Sequence, residues 1–357
     1  MDFDFWQLPE EELTRRAAAL PALLLRWYDA HHRTLPWRDA PTPYRVWVSE
    51  IMLQQTRVAA VLPYFDRFLR ALPDIPALAH APEEQLMKLW EGLGYYSRAR
   101  NLQRAAVRVL EEYGGVLPGT AGALQTLPGI GEYTAGAIAS IAFGQRVPAI
   151  DGNGLRVFAR VFRNDADIAS AKTRRQYRAL AQTLLPERAG DFNQALMELG
   201  ATVCLPNGAP HCDACPLAAL CIAHEDGCEG AFPVKAERTP RRVEQLALTL
   251  ILCGDAVLLQ RRPSAGLLAG LWAFCTLPDP QCAGFTVLHE AALPPARHIF
   301  THVEWRMQAR AITVAERLSL PGCVWATRAD LRERYAIPSA YRAYTRALSS
   351  LLPARDA

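Results

Sequence analysis

The chain has 357 residues, half of them hydrophobic, and a formal net charge of +3. This length and apolar content suffice for a large core and favour two domains. The weak positive charge permits nucleic-acid binding without requiring it, because local patches matter more than the total. No run approaches the roughly 20 apolar residues of a membrane helix, and the acidic N-terminus lacks the basic start of a signal peptide. We therefore expect a cytoplasmic protein without membrane contact.

The first 225 or so residues have apolar side chains at helical spacing and no convincing strand pattern. Helices are expected at residues 10–30, from about 44, from about 82, at 172–185 and at 191–203. Residues 35–38 (LPWR) form an extended, proline-fixed segment that carries an aromatic ring, Trp37, and a cation, Arg38. The sequence therefore predicts an all-α first domain over residues 1–228.

Glu50 lies within the apolar helix that begins near Tyr44. A carboxylate among apolar neighbours either reaches solvent or sits in a pocket that raises its pKa, and the residues alone leave both interpretations open. Gln54 and Gln55 end this run. Two amides in a row could hydrogen-bond to base edges in a duplex, or they could form an ordinary polar helix end.

A Gly-rich turn, residues 127–131 (LPGIG), opens an Ala-rich apolar helix. Gly129 and Gly131 leave backbone N–H groups unobstructed where a helix begins, and these groups can hold a phosphate together with the positive end of the helix dipole. Asp151 follows at the mouth of the next helix. This combination suggests chemistry on a nucleic-acid backbone, and the alternative is an ordinary loop with an N-cap aspartate.

Four cysteines fall within residues 204–221: Cys204, Cys212, Cys215 and Cys221. Four thiolates in one short loop fit either Zn²⁺ or a [4Fe–4S] cluster. Zinc sites usually pair two C-x₂-C hooks, whereas this segment has only one. The pattern C-x₇-C-x₂-C-x₅-C therefore favours an iron–sulfur loop.

The composition changes over residues 229–245, which contain prolines and basic residues and lack apolar residues at regular spacing. This segment is predicted to be a linker. Beyond it, alternating leucines at 246–252 and an apolar run at 256–260 predict a β-hairpin. A strand is expected over residues 303–311, followed by a closing helix that contains Tyr344. Residues 246–357 thus predict a second, α+β domain.

Motifs along nearly the whole chain carry a resemblance to a known family. They are LPWR at 35–38, VSEIMLQQT at 48–56, LWEGLGYYSRARNL at 89–102, LPGIGEYTAGAI at 127–138, DGN at 151–153, MELG at 197–200, the cysteine loop, QRRPSAGLLAGLWAF at 260–274 and HIFTHVEW at 298–305. In this order they resemble the helix-hairpin-helix DNA glycosylases with an iron–sulfur loop, which include endonuclease III. Within that group the chain is similar to the MutY family of adenine glycosylases.

The resemblance implies a fold and an activity. The expected fold is an all-α helix-hairpin-helix glycosylase domain with a [4Fe–4S] loop, followed by an α+β Nudix-like domain. The expected activity is removal of adenine paired with 8-oxoguanine or guanine in double-stranded DNA, by hydrolysis of the N-glycosidic bond of a nucleotide flipped out of the stack. We expect a monomer that holds its cluster through Cys204, Cys212, Cys215 and Cys221.

The resemblance also implies roles for individual residues. Glu50 would be the general acid that protonates the leaving adenine, which requires a raised pKa. Asp151 would stay ionised and face the positive charge that develops on the sugar. Tyr133 and Asn153 would orient these two groups.

The contacts with DNA are expected at two sets of residues. Arg33, Trp37 and Glu198 would line the adenine pocket, with Arg38 among the substrate- or DNA-binding residues. Gly129 and Gly131 would hold phosphates, and Gln55, with Gln54 and Leu53, would fill the hole in the stack.

Position 133 also predicts the outcome of the reaction. Glycosylases of this fold that cut the strand use a lysine nucleophile nearby to form a Schiff base. Here residues 132–134 are Glu-Tyr-Thr. We therefore expect base removal without efficient strand cleavage.

The C-terminal domain is expected to bind and not to hydrolyse. Gly284 and Glu290 match the first spacing of the Nudix motif, but His298 and Ile299 stand where it needs arginine and glutamate. By resemblance, the domain recognises 8-oxoguanine through three neighbouring residues, Phe300, Thr301 and His302.

Two departures from the family pattern accompany these expectations. The first cysteine spacing is x₇ where x₆ is common, and Thr301 replaces a serine while keeping the hydroxyl. Two alternatives also stay open: an endonuclease III-like glycosylase and lyase for oxidised pyrimidines, and a non-enzymatic, structure-specific DNA-binding protein.

Overall fold

The computed structural model describes residues 3–6, 8–236, 240–277 and 280–353, and residues 237–239 of the predicted linker lie outside this range. The chain divides into two compact units. The helical unit runs to His80 and resumes at Arg100, and the C-terminal unit combines Ala81–Ala99 with the chain after the linker. Sequence analysis had placed residues 81–99 in the first domain.

The helical unit contains no strand among its described residues, as predicted. Its α-helices are α1 (Phe3–Trp6), α2 (Glu10–His31), α3 (Pro36–Asp39), α4 (Pro43–Leu53), α5 (Val58–Ala71) and α6 (Ile75–His80) before the break in the unit. Helix α7 (Glu83–Trp90) belongs to the C-terminal unit. Helix α8 (Ser97–Tyr113) begins in that unit and continues into the helical unit from Arg100. The remaining helices are α9 (Ala121–Leu124), α10 (Glu132–Phe143), α11 (Gly152–Val161), α12 (Ala171–Leu184), α13 (Ala189–Thr202) and α14 (Ile222–Glu225).

Local sequence explains where the central helices begin and end. Helix α4 starts behind Thr42, whose side chain accepts a hydrogen bond from the Arg45 N–H, with proline at the first helical position. Helix α10 is nearly all apolar because it packs against both α4 and α13. Helix α11 packs against α13. This packing brings the ends of α4, α10 and α11 to one region.

The C-terminal unit is built around a six-stranded sheet. Its strands are β1 (Arg242–Cys253), β2 (Ala256–Arg261), β3 (Trp272–Phe274), β4 (Val287–Ile299), β5 (Val303–Val314) and β6 (Cys323–Thr327), in the order β3-β2-β1-β5-β4 with β6 paired to β2. Strands β1 and β2 form the predicted hairpin, and β1 pairs in parallel with β5. Helices α15 (Arg328–Glu333) and α16 (Arg342–Leu351) follow the strands.

The structure refines three predictions for this unit. Strand β1 begins at Arg242, inside the predicted linker, because residues 242–245 pair in register with β5. The stretch that departs from the Nudix motif, from Glu290 to Ile299, lies in strand β4. The predicted closing helix is α16, whose Tyr344 and Leu348 are buried under the sheet.

No helix in the described part of the chain has the length and apolar character needed to cross a lipid bilayer.

Candidate active site

Glu50 is buried near the end of α4, with only 6% of its surface exposed. The predicted rise of its pKa is confirmed: burial raises it to about 7, although a hydrogen bond works against this. The Tyr133 hydroxyl donates that bond to Glu50 Oε2 over 2.8 Å. Glu50 can therefore carry a proton near neutral pH, as a general acid must.

Tyr133 stands in the first turn of α10, directly behind the Gly-rich turn. Burial raises the pKa of Tyr133 well above its ordinary value, and the neighbouring carboxylates Glu50 and Asp151 raise it further. Its hydroxyl also lies 3.2 Å from Met197 Sδ. The phenol therefore stays protonated and serves as a fixed hydrogen-bond donor to Glu50.

Asp151 lies at the start of α11, as predicted, and it is the N-cap that the alternative interpretation of this segment proposed. Its Oδ1 accepts hydrogen bonds of 2.9 Å from the backbone N–H groups of Asn153 and Gly154, and its Oδ2 accepts one of 2.6 Å from Asn153 Nδ2. Burial raises the pKa of Asp151, while these three bonds and Arg156 pull it down. The carboxylate is buried but supplied with donors that favour its anionic form.

The two carboxyl groups share one electrostatic environment. The charge of Asp151 helps to raise the pKa of Glu50, and both groups raise the pKa of Tyr133. Glu50, Tyr133, Asp151 and Asn153 are thus brought together although they come from three helices. One carboxyl that is protonated near neutral pH beside one rich in donors is the division of work used in glycoside hydrolysis.

Arg33 and Arg38 clasp the buried carboxylate of Glu198. Arg33 Nε and Nη2 donate to its two oxygens over 2.6 and 2.9 Å, and Arg38 Nη2 donates to Oε2 over 2.9 Å. Burial works to raise the pKa of Glu198, but the two arginines outweigh it and hold the pKa below its ordinary value. Arg38 also lowers the pKa of Glu50, so this ion cluster adjoins the carboxyl pair.

Trp37 is buried, and its ring meets the edge of Phe65 at a centroid distance of 5.1 Å. It therefore supports the wall formed by α3 and α5. The predicted extended conformation of residues 35–38 is wrong beyond Leu35, because Pro36–Asp39 forms helix α3.

Helix α4 ends at Leu53, with Gln54 as its C-cap and Gln55 directly after it. Gln55 is exposed and adopts a left-handed backbone conformation with φ +57°. Such a conformation is uncommon for a residue other than glycine and directs the chain sharply out of the helix. Gln54 Nε2 donates to Thr134 Oγ1 over 3.2 Å, which ties this corner to α10.

Gly129 and Gly131 differ in what they require. Gly129 has φ +76°, and a Cβ there would lie 2.7 Å from the Asn101 Cβ, so the fold itself demands glycine. Gly131 is the extended N-cap of α10, and a Cβ there would meet nothing within 4 Å. The fold does not explain glycine at position 131, whereas close approach of a ligand to the backbone would.

The four predicted cysteines line one cavity together with Arg160. Arg160 Nη1 lies 3.2 Å from Cys204 Sγ. The additional residue of the x₇ spacing is taken up in a loop closed by a hydrogen bond from the His211 N–H to the Val203 carbonyl.

Cys221 is buried, and the other three cysteines are partly buried. Burial raises the pKa of Cys212 and Cys221 to about 12 and that of Cys215 to about 11. Thiolates form there only beside a strongly positive partner such as iron, so convergent thiols with a nearby guanidinium fit a metal cluster.

The predicted recognition residues Phe300, Thr301 and His302 form the loop between β4 and β5. Phe300 is half-buried, with its ring centroid 4.8 Å from that of Trp305. Thr301 and His302 are exposed. Only the Phe300 ring is anchored in the core of the C-terminal unit, so the two polar side chains are free to face a ligand.

Three residues near these sites were missed by sequence reasoning. The Tyr95 hydroxyl lies 3.2 Å from Thr301 Oγ1, and this exposed residue has φ +48°. Arg156 Nη2 donates to Asn153 Oδ1 over 2.9 Å, while its Nε donates to the Cys204 carbonyl over 2.8 Å. Met197 contacts the Tyr133 hydroxyl.

For Tyr95, the glycines that flank it in GLGYY were an available signal. Met197 contacts Tyr133 across 64 positions and Arg156 contacts Cys204 across 48, and no local pattern predicts either contact.

Two family profiles match the chain. The HhH-GPD superfamily of base excision DNA repair proteins matches residues 48–185, and the NUDIX domain matches residues 247–347. The rat adenine DNA glycosylase is 39% identical over 382 residues, which cover 87% of this chain and 74% of the rat protein. The chain belongs to the adenine DNA glycosylases. The human adenine DNA glycosylase is also 39% identical, over 86% of this chain and 70% of its own length.

Solved structures share the fold of a large part of this chain. A thermostable thymine-DNA glycosylase superposes with a TM-score of 0.54 at 28% identity, over 60% of this chain and 98% of its own. A trapped endonuclease III–DNA covalent intermediate superposes with a TM-score of 0.51 at 21% identity, over 62% and 99%. The predicted family and fold class are confirmed, including the Nudix-like second domain.

Proposed function

We propose that this chain is a base-excision-repair enzyme that removes adenine paired with 8-oxoguanine or guanine and leaves the DNA strand intact. The observation that carries the proposal is the pair of carboxyl groups: Glu50 is buried and accepts a hydrogen bond from Tyr133, and Asp151 accepts one from Asn153 and helps to raise the pKa of Glu50. Relatives from mammals, a plant and a yeast are named adenine DNA glycosylases, which supports adenine as the base.

Glu50 would donate its proton to the adenine as the bond between the base and the sugar breaks, so that the base leaves with the bonding electron pair. The Tyr133 hydroxyl would steady the carboxylate that remains. Asp151 would act as an anion that stabilises the positive charge on the sugar, since its hydrogen bonds and Arg156 offset part of the burial that raises its pKa. Water then attacks the sugar and returns a proton to Glu50.

Adenine would be held at the ion cluster of Arg33, Arg38 and Glu198. Because Glu198 is already paired with two cations, it adds no unpaired negative charge to the pocket. Arg38 links this cluster to Glu50 electrostatically. Trp37 would support the pocket from the side of α3.

DNA would be gripped at the turn before α10. The backbone N–H groups at Gly131 and in the first turn of α10, together with the positive end of the helix dipole, would hold a phosphate. Gln55, with Gln54 and Leu53, would fill the space that the extruded nucleotide leaves. Gln55 is suited to this role because its side chain is exposed and its left-handed backbone projects it from the end of α4.

Cys204, Cys212, Cys215 and Cys221 would hold a [4Fe–4S] cluster, which when bound supplies the positive charge that keeps all four as thiolates. Arg160 would donate a hydrogen bond to Cys204 in that state. Arg156 would connect the backbone of the loop to Asn153 and thereby to Asp151.

The C-terminal unit would recognise 8-oxoguanine in the opposite strand through Phe300, Thr301 and His302. The Thr301 hydroxyl can donate one hydrogen bond and accept others, and its contact with Tyr95 orients it. One unit would thus detect the lesion while the other excises its partner.

The proposal is tested by single-turnover reactions on three duplexes, carrying adenine opposite 8-oxoguanine, adenine opposite guanine, or thymine glycol opposite adenine. Each product is analysed with and without alkali. We expect adenine release from the first two, with strand breaks only after alkali, because Tyr133 replaces the lysine of a lyase. Breaks at thymine glycol without alkali would instead favour the endonuclease III-like alternative.

A further inference from the structure

An uncovered region of the C-terminal sheet lies directly beside the β4–β5 loop. In β5, Trp305 and Met307 point into the core under α16, whereas the alternate residues Arg306 and Gln308 are exposed on the opposite face. A groove on this face is lined by residues of three neighbouring strands, among them Gln245, Arg297, Glu304, Arg306 and Gln308. Pro295, Ala296 and Met307 complete the lining, so the groove combines an apolar part with polar and charged side chains.

The pairing of the strands puts two cations next to each other. Arg297 of β4 stands directly opposite Arg306 of β5, and Gln245 of β1 pairs with Arg306 on its other side. Directly opposed side chains of like charge destabilise an antiparallel pair. The sheet tolerates this arrangement at an exposed position, where an anion from another molecule can lie between the two guanidinium groups.

A third arginine, Arg241, joins this pair at the base of the loop. Its Nε donates to the Phe300 carbonyl over 3.1 Å, so its side chain is held against the recognition loop itself. The next residue, Arg242, donates its N–H to the His302 carbonyl over 3.1 Å. The cationic surface is therefore continuous with the loop.

Glu304 is the carboxylate at the centre of this group. Arg306 Nε donates to Glu304 Oε1 over 2.9 Å, and Arg306, Arg297 and Arg241 together hold the pKa of Glu304 below its ordinary value. Three guanidinium groups around one carboxylate leave an excess of positive charge. Polar amides on either side, Gln245 and Gln308, extend the surface.

We propose that Arg241, Arg297 and Arg306, here called the arginine cluster, bind backbone phosphates of the DNA strand that carries 8-oxoguanine. This inference rests on the proposed function, because it takes the β4–β5 loop as the part that meets the lesion. Guanidinium groups bind phosphate oxygens in bidentate fashion, and such contacts fix the register of a protein on DNA without reading its sequence. The arginine cluster thus sets the position of the loop against its base.

The test measures binding of the full chain to a duplex with non-hydrolysable 2′-fluoro-2′-deoxyadenosine opposite 8-oxoguanine, at increasing KCl concentration. Each phosphate contact contributes about 0.9 to the slope of log affinity against log salt. The double variant Arg297→Gln/Arg306→Gln should reduce that slope by nearly 2 and weaken binding about tenfold. The matched control Arg310→Gln/Arg317→Gln removes the same charge elsewhere in the unit and should leave the slope unchanged.

A third variant, Glu304→Gln, changes binding in the opposite direction. It removes the carboxylate that competes with phosphate for the same arginines, so binding should tighten about two- to fivefold. Misfolding cannot produce a gain in affinity, which keeps the test informative if the double variant is unstable.

Two outcomes would overturn the proposal: an unchanged slope in the double variant, or an equal reduction of the slope in the control variant. A wild-type chain that releases no adenine would instead refute the proposed function, whatever the salt slopes.

Discussion

The carboxyl pocket of the helical unit and the β4–β5 loop of the C-terminal unit differ in exposure and in how many bonds fix them. Glu50 is buried and Asp151 is half-buried, and both accept hydrogen bonds from neighbouring residues of the protein. Thr301 and His302 are exposed, and Thr301 has a single contact with Tyr95. Burial raises the pKa of Glu50, which bond breaking requires. Exposure leaves Thr301 and His302 able to form hydrogen bonds with another molecule.

The comparison implies that changes in the pocket abolish chemistry, while changes in the loop alter the choice of substrate. Glu50→Gln should have the largest effect, reducing single-turnover adenine release about 10²- to 10⁴-fold, because the amide cannot donate the proton. Binding to the uncleaved duplex should persist. Full activity of this variant would contradict the assignment of Glu50 as the acid.

Asp151→Asn separates chemistry from stability. Asparagine is a good N-cap, so the thermal midpoint should change little. Loss of the negative charge beside the sugar should lower the rate of adenine release about 10²- to 10³-fold. The opposite pattern, a large loss of thermal stability with a normal rate, would make Asp151 a structural residue only.

The two glycines of the turn before α10 form a matched pair. Gly129→Ala should destabilise the protein by about 1–3 kcal/mol, since its φ is positive and Asn101 blocks the Cβ. Gly131→Ala should leave the thermal midpoint unchanged and weaken DNA binding about tenfold. If Gly131→Ala bound DNA normally, the phosphate would have to be held elsewhere.

The smallest effect is expected in the loop. Thr301→Val should reduce the preference for adenine opposite 8-oxoguanine over adenine opposite guanine about five- to tenfold, because one hydrogen bond is lost. Thr301→Ser keeps the hydroxyl and should behave like the wild type. A loss of activity equal on both duplexes would indicate that the loop does not discriminate between them.

Sequence patterns predicted those parts of the site that depend on local chemistry. The N-cap position of Asp151, the start of α10 at the Gly-rich turn and the clustering of four cysteines all follow from residues close in sequence. The apolar neighbours of Glu50 in α4 left its burial undecided, and its raised pKa was expected only from the family resemblance.

What could not be predicted depends on contacts between distant residues. The Tyr133–Glu50 bond spans 83 positions, and its geometry is set by how α10 packs on α4. The opposition of Arg297 and Arg306 depends on strand register, which a bulge in β4 between Leu293 and Ala296 shifts. Periodicity carries no information on either.

The pH dependence of single-turnover adenine release tests the central claim most directly, namely that Glu50 acts as a buried acid. Only the protonated form donates, so the rate should be maximal below about pH 7 and fall above it. Tyr133→Phe removes a hydrogen bond that lowers the pKa of Glu50, so the decline should move to higher pH, by about half a unit to one unit. A rate that stays constant through pH 8, or a decline that moves to lower pH in Tyr133→Phe, would contradict the account.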